Sequence, residues 1–249
     1  MNDQELQSLP AAKSAIAAPP DDKSLRVPCY CEENVWRLAY RKLHGQHQPD
    51  PQTTNNDCSY FVAFVSNPRK CVPMFEQLGA RDRETPVFWD YHVILFMCQV
   101  EDSGTPSAFV LDIDSHLPYP CSLEKYMDVV FPNHTEWKDE YQPYFRVIDA
   151  TVYLRNFSSD RSHMFNRETS TWNARPPQYD CILPSGVKDE ISSNSNKDPC
   201  TITTLQRYMT ISAEDISGPL LPVQENSEHD PFGRVYSLSQ LLQRFRINN

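Results

Sequence analysis

The chain has 249 residues, 39% of them hydrophobic and 11% aromatic, enough to bury one sizeable core. Its 33 acidic and 23 basic residues leave a formal charge of -10, and no Lys/Arg run is long enough to neutralise a phosphate backbone, so nucleic acid is not an expected ligand. An acidic surface favours cationic partners, including any substrate that carries a free amino group.

Residues 1–24 are rich in Ala, Pro, Ser and Asp and lack apolar periodicity, which predicts a mobile tail ahead of a single domain over 25–249. They contain no basic stretch followed by an apolar one, so no secretory signal is expected. The longest apolar run, VILFMCQV from Val93, is strand-sized against the roughly 20 residues a bilayer requires, so no membrane partner is expected either. The expected location is the cytosol and nucleus, where the eight cysteines would be reduced thiols.

From Cys31 a helix is predicted: Cys31, Val35 and Leu38 form one stripe, Trp36, Tyr40 and Leu43 an adjoining one, and Gly45 supplies a C-terminal cap. Three stretches rich in Val, Phe, Tyr and Ile follow, CSYFVAFVS from Cys58, PVFWDYHVILFMCQV from Pro86 and SAFVLDID from Ser107. Turn formers bound them, which predicts strands apolar on both faces in the middle of a covered sheet. Between the first two, CVPMFEQLGARDRET reads as a short element and a loop, CSLEKYMDVVF from Cys121 as a short helix, and YFRVIDATVYL from Tyr144 as a fourth strand. From about 184 to 230 the composition turns to Ser, Asn, Asp, Pro and Glu, a mostly flexible insertion in which only TITTLQRYMTI offers a short helix. Helical spacing returns in VYSLSQLLQRF, with Ser237 as its cap.

The segment PCYCEENVWRLAYRKL, residues 28–43, carries the first chemical signal. A thiol at the start of a helix meets unpaired N–H groups and the positive end of the macrodipole, which stabilise a thiolate and can hold an oxyanion. Glu32 and Glu33 work against that thiolate, so a cationic base is needed nearby. His92 is the candidate: in WDYHVILF it shares a strand face with Asp90, two polar groups on an otherwise apolar surface. Asp112 and Asp114 interrupt the next strand in the same way, and a hairpin centred on Asp102 would bring Asp112 to His92. Thiol, imidazole and orienting carboxylate are the parts of a nucleophilic triad. Each also has a plainer reading, since cysteine on an apolar stripe and histidine in a strand are common core groups.

A metal alternative would use Cys29, Cys31, His44 and His47, but paired cysteines in structural zinc sites are two to four residues apart and CYC leaves one, so no metal is expected. Six glycines include no phosphate-binding loop. The polar stretch SSDRSHMFN from Ser158 reads either as a surface loop with an internal Asp160–Arg161 pair or as the rim of a cleft.

CYCEENVWRL, NPRKCVPMF, VFWDYHVIL, VLDIDSHLPYPC, YFRVI and NFSSDRSHM, in this order, closely resemble the protein N-terminal glutamine amidohydrolase family over about residues 27–181, with a weaker return at GRVYSLSQLLQRF. The resemblance implies an α+β fold of the papain or transglutaminase kind, with the nucleophile at the start of a helix packed on a mainly antiparallel sheet. It implies Cys31 as nucleophile, His92 as base and Asp112 as orienting acid, no cofactor, and conversion of an amino-terminal Gln of a protein or peptide to Glu with release of ammonia. That product can then be arginylated and recognised in the N-degron degradation pathway. A monomer is expected. Selecting a terminal Gln needs an acceptor for the α-ammonium; Glu33 and Asp90 flank the triad and are the candidates, with Tyr30 and Trp89 shaping the pocket. A cysteine peptidase or transglutaminase-type acyl transferase would use the same triad, and a binding module would keep the fold without turnover.

Overall fold

The computed structural model describes residues 21–45, 58–100, 106–183, 203–217 and 230–245. The tail over 1–20 and much of the expected insertion lie outside the described residues. Asp22–Leu25 already forms a 3-10 turn, tied down by Asp22, whose carboxylate meets Lys42 at 2.5 Å and the Tyr119 hydroxyl at 3.0 Å.

The fold is α+β. In chain order the described elements are α1 (Cys31–His44), β1 (Ser59–Ser66), β2 (Val72–Met74), β3 (Val87–Trp89), β4 (Tyr91–Val100), β5 (Pro106–Leu111), β6 (Cys121–Ser122), α2 (Leu123–Val130), β7 (Tyr144–Asp149), α3 (Ala150–Asn156), β8 (Phe165–Asn166), β9 (Thr171–Trp172), α4 (Leu205–Met209), α5 (Ala213–Ser217), β10 (Arg234–Ser237) and α6 (Leu238–Phe245). The main sheet has the order β10-β7-β1-β4-β5-β6, and its pairs are antiparallel.

Alternation along β1 and β4 sends side chains into two cores. Val62, Phe64, Tyr91, Val93 and Leu95 face α1 and α3, where they meet Val35, Leu38 and Tyr153. Ala63, Val65, Ile94 and Phe96 face α2 and α6, where they meet Tyr126, Met127 and Leu241. Each fully buried Phe, Leu or Ile contributes about 1.5–3 kcal/mol, so both faces must be covered for the sheet to persist. The strands apolar on both faces are thus the central ones, as their composition predicts.

The expected strand from Pro86 is interrupted. Asp90 Oδ1 accepts from the Tyr91 N–H at 2.9 Å and the Asp90 carbonyl accepts from Ser66 Oγ at 2.6 Å, so the chain turns there; β3 leaves the main sheet and pairs with β2. The expected strand from Tyr144 ends early for a similar reason. The Asp149 carboxylate accepts from the Thr151 and Val152 N–H groups and starts α3. At the C-terminal side Ser237 does cap α6: its Oγ accepts from the Gln240 N–H while Gln240 Oε1 accepts from the Ser237 N–H, a reciprocal capping box. The described part of the insertion is packed rather than loose, with Leu205, Tyr208, Met209 and Ile211 buried.

Leu95 pairs with Leu111 between β4 and β5. Continuing that register sets Asp114 opposite His92 and Asp112 one diagonal step away on the same face, two residues off the hairpin centred on Asp102. β5 ends at Leu111, so the stretch of β4 around His92 has no neighbour strand on that side among the described residues.

Candidate active site

The start of α1 is fixed by Asn34, which is fully buried and reaches back to the approaching chain. Its Oδ1 accepts from the Val27 N–H and its Nδ2 donates to the Val27 carbonyl, both at 2.9 Å. Within that clamp Cys29 takes a left-handed φ of 67°, and Tyr30 becomes the N-cap without offering a side-chain acceptor. The first-turn N–H groups have no intrahelical partner, and a helix start of this kind can hold an anion. Cys31 opens the helix there, 5% exposed.

His92 and Asp112 meet as expected, with Nε2 and Oδ1 3.2 Å apart and both residues buried. Asp112 Oδ1 also accepts from the Asp114 N–H at 2.9 Å, and Oδ2 from the Tyr126 hydroxyl at 2.6 Å. Burial works against ionising Asp112, but the imidazole and these donors outweigh it and hold the carboxyl below its ordinary range. Burial also works against a charged His92, and here the Asp112 carboxylate outweighs it and raises the imidazole above its ordinary value. Opposite shifts of this kind mark a pair that stabilises imidazolium. With Nε2 committed to Asp112, Nδ1 is left to exchange protons; it is buried and forms no hydrogen bond. Trp89 stacks on the ring at 5.1 Å between centroids and holds its plane.

The thiol is not hydrogen-bonded to His92 in this conformation. Cys31 Sγ donates to Glu32 Oε2 at 3.7 Å. Burial first, then the Glu32 and Asp114 carboxyls, push the thiol well above its ordinary value, while the Val93 backbone N–H favours the thiolate. The resting sulfur is therefore protonated.

The two first-turn glutamates are both fully buried and differ in how their charge is handled. Glu33 accepts from Arg161 Nε and Nη2 in a bidentate pair, each bond 2.8 Å. Arg161 thus pairs across the fold and not with Asp160, whose Oδ1 accepts from the N–H and hydroxyl of Ser162. Glu32 has no such bidentate cation among the described residues; burial raises it to about 8, so its protonated form is favoured at pH 7. Its Oε2 accepts from the Tyr91 hydroxyl at 3.1 Å, and its Oε1 forms no hydrogen bond, with His163 Nε2 3.6 Å away. Asp90 is exposed. Tyr30 is fully buried and its hydroxyl donates to the Ala174 carbonyl at 3.1 Å, fastening the 165–182 stretch over the start of α1.

A sequence profile described as N-terminal glutamine amidase matches residues 26–245. The chain belongs to that family. It is 38% identical over 184 residues to a Homo sapiens protein named protein N-terminal glutamine amidohydrolase, covering 74% of this chain and 83% of that one. A Bos taurus protein of the same name is 37% identical over 190 residues, 76% of this chain and 85% of its own length. One from Drosophila erecta is 34% identical over 219 residues, 88% of this chain and 87% of its own. The family match runs through the described core and both sides of the insertion, so α6, like α1, is part of the shared domain.

Sequence reasoning missed Tyr126, Tyr91 and the facing of Glu32 by His163. The signal for Tyr126 was present: in LEKYMDVV it lies on the buried stripe with Leu123, Met127 and Val130, and a tyrosine on such a stripe brings a hydroxyl that must find a partner. Nothing comparable marks Glu32, because a glutamate in a first helical turn usually faces water.

Proposed function

We propose that this chain converts the amino-terminal glutamine of proteins and peptides to glutamate, with Cys31 as nucleophile, His92 as proton carrier and Asp112 as its orienting acid, on an α+β scaffold of the papain or transglutaminase kind. The observation that carries the reading is the buried His92–Asp112 pair, whose Nδ1 forms no hydrogen bond, together with a thiol at an uncapped helix start, in a member of this family.

Productive attack needs the thiol proton moved from its resting contact with Glu32 to His92 Nδ1. The Cys31 sulfur then bonds to the side-chain carboxamide carbon, and the carbonyl oxygen takes the negative charge against the first-turn N–H groups. When that intermediate collapses, the imidazolium gives its proton to the departing nitrogen, ammonia leaves and a thioester remains. Water, deprotonated by His92 Nδ1, attacks the thioester; the carbon–sulfur bond breaks and Cys31 recovers a proton. The balance is one water consumed and one ammonia released, with the peptide bond untouched. The glutamate exposed at the chain start is the form that arginylation and the N-degron pathway would receive.

Mass spectrometry of a Gln-initiated peptide tests this. The expected product has the amide-to-acid mass change at residue 1, intact length and stoichiometric ammonia, all lost in Cys31→Ala. Peptide cleavage, cross-linking, or conversion that survives Cys31→Ala would overturn it.

A further inference from the structure

An enzyme acting only on a terminal glutamine must recognise the α-ammonium, three N–H donors and one charge. The charge of Glu33 is already paired by the Arg161 fork, and Asp90 is exposed, where an ion pair adds little. Glu32 differs on both counts. Its Oε1 is buried without a hydrogen bond, an unusual state for a carboxyl oxygen. Three acceptor atoms from different parts of the chain converge beside it: Oε1 itself, His163 Nε2 at 3.6 Å, and the hydroxyl oxygen of Tyr91, which is 3.3 Å from the same His163 nitrogen. Of these walls His163 is the most exposed, at 22% of its side chain, so a ligand would enter past its loop.

The spacing fits a glutamine. Four single bonds of about 1.5 Å separate its α-nitrogen from its carboxamide carbon, a span of roughly 4–5 Å. Glu32 Oε2 is 3.7 Å from Cys31 Sγ, so the sulfur is within a glutamine's span of an amine held at this carboxyl.

We infer that Glu32, with His163 and Tyr91, is the receptor for the substrate's α-ammonium group and sets the preference for a terminal over an internal glutamine. This rests on the reaction proposed above. It also accounts for a carboxyl placed against a nucleophile: burial favours its neutral form in the free protein below about pH 8, and the ammonium neutralises it in the complex, so the thiolate is spared a bare negative charge. The other charged groups nearby are already answered, Glu33 by Arg161 and Asp114 by Arg26 at 2.5 Å, while His92 carries the compensating positive charge.

Steady-state ammonia release from a Gln-initiated peptide and from its desamino analogue, for the parent and Glu32→Gln, is the test. The expected result is a KM for the Gln peptide raised at least tenfold with kcat within a few-fold, and a discrimination against the desamino analogue that largely disappears. A KM within twofold of the parent overturns the inference. Iodoacetamide alkylation of Cys31 without substrate supplies a second readout: above about pH 8, where Glu32 ionises in the parent, alkylation should rise more steeply with pH in the variant; identical profiles count against the inference. If Glu32→Gln does not fold, His163→Lys on the exposed loop decides, since its own ammonium would occupy the site and raise KM; an unchanged KM overturns the inference. Should the parent release no ammonia from any Gln peptide, the proposed reaction fails, while the alkylation profile still reports whether Glu32 acts on the sulfur.

Discussion

Asp112 does more than touch His92. By accepting at Nε2 it fixes the ring so that Nδ1 is presented, and its second oxygen is closed by Tyr126, so the carboxylate cannot rotate away. Asp112→Asn would keep the shape and remove the charge that raises His92. We expect kcat to fall by roughly 10³–10⁴, with the His92 ring titrating at lower pH by NMR than in the parent. Tyr126→Phe tests the second contact separately: it deletes one charge-assisted bond, worth about 1.5–3 kcal/mol, and should lower kcat about tenfold or more while leaving KM in place. A KM effect instead would mean that the substitution had disturbed binding and not the pair.

The elements explain which of these residues could be read in advance. The α1 stripe was legible because Cys31, Val35 and Leu38 repeat at helical spacing against one face of the sheet, and the same pattern places the thiol at the helix start. The His92–Asp112 meeting was legible as a shared face but not as a register, since parity survives a two-residue shift and direct pairing does not. The Asp90 break in the strand was hidden because an aspartate that bends the chain and one that faces a cleft look alike in sequence. The Arg161–Glu33 pair spans 128 residues and joins a loop to a helix, with no periodicity to announce it. It now makes a definite prediction. Removing the cation leaves a carboxylate in a dry interior, so Arg161→Ala should cost about 3–5 kcal/mol in urea unfolding, whereas replacing both partners by apolar residues of similar volume should cost far less. Asp149→Ala, which removes only the exposed α3 cap, should cost about 1 kcal/mol and serves as the control.

At the scale of the molecule, the site lies at the seam where β5 stops short of the start of β4, with Cys31 in one core and His92 two residues from Ile94 of the other. Gathering ionisable groups at that seam makes stability depend on pH in a predictable direction. Glu32 rises from 4.5 to about 8 on folding, so the folded state binds its proton more tightly; that stabilisation is complete below about pH 4.5 and is lost as pH rises through 8. His92, also raised, acts in the same sense above its ordinary 6.5, and Asp114 above 3.8. Asp112 is lowered and opposes them only in acid, where protonating it removes stability. His163 is lowered and gives back a little as pH rises toward 6.5. The Glu32 contribution between pH 5 and 8 is on the order of 3 kcal/mol, so the protein should unfold at clearly lower urea at pH 8 than at pH 5. Glu32→Gln should flatten most of that slope, because the amide has no proton to lose. A Gln-like ligand with a free α-amine should flatten it too, since an ammonium at Glu32 favours the ionised carboxyl in the folded state and stabilises it most where the proton has begun to leave.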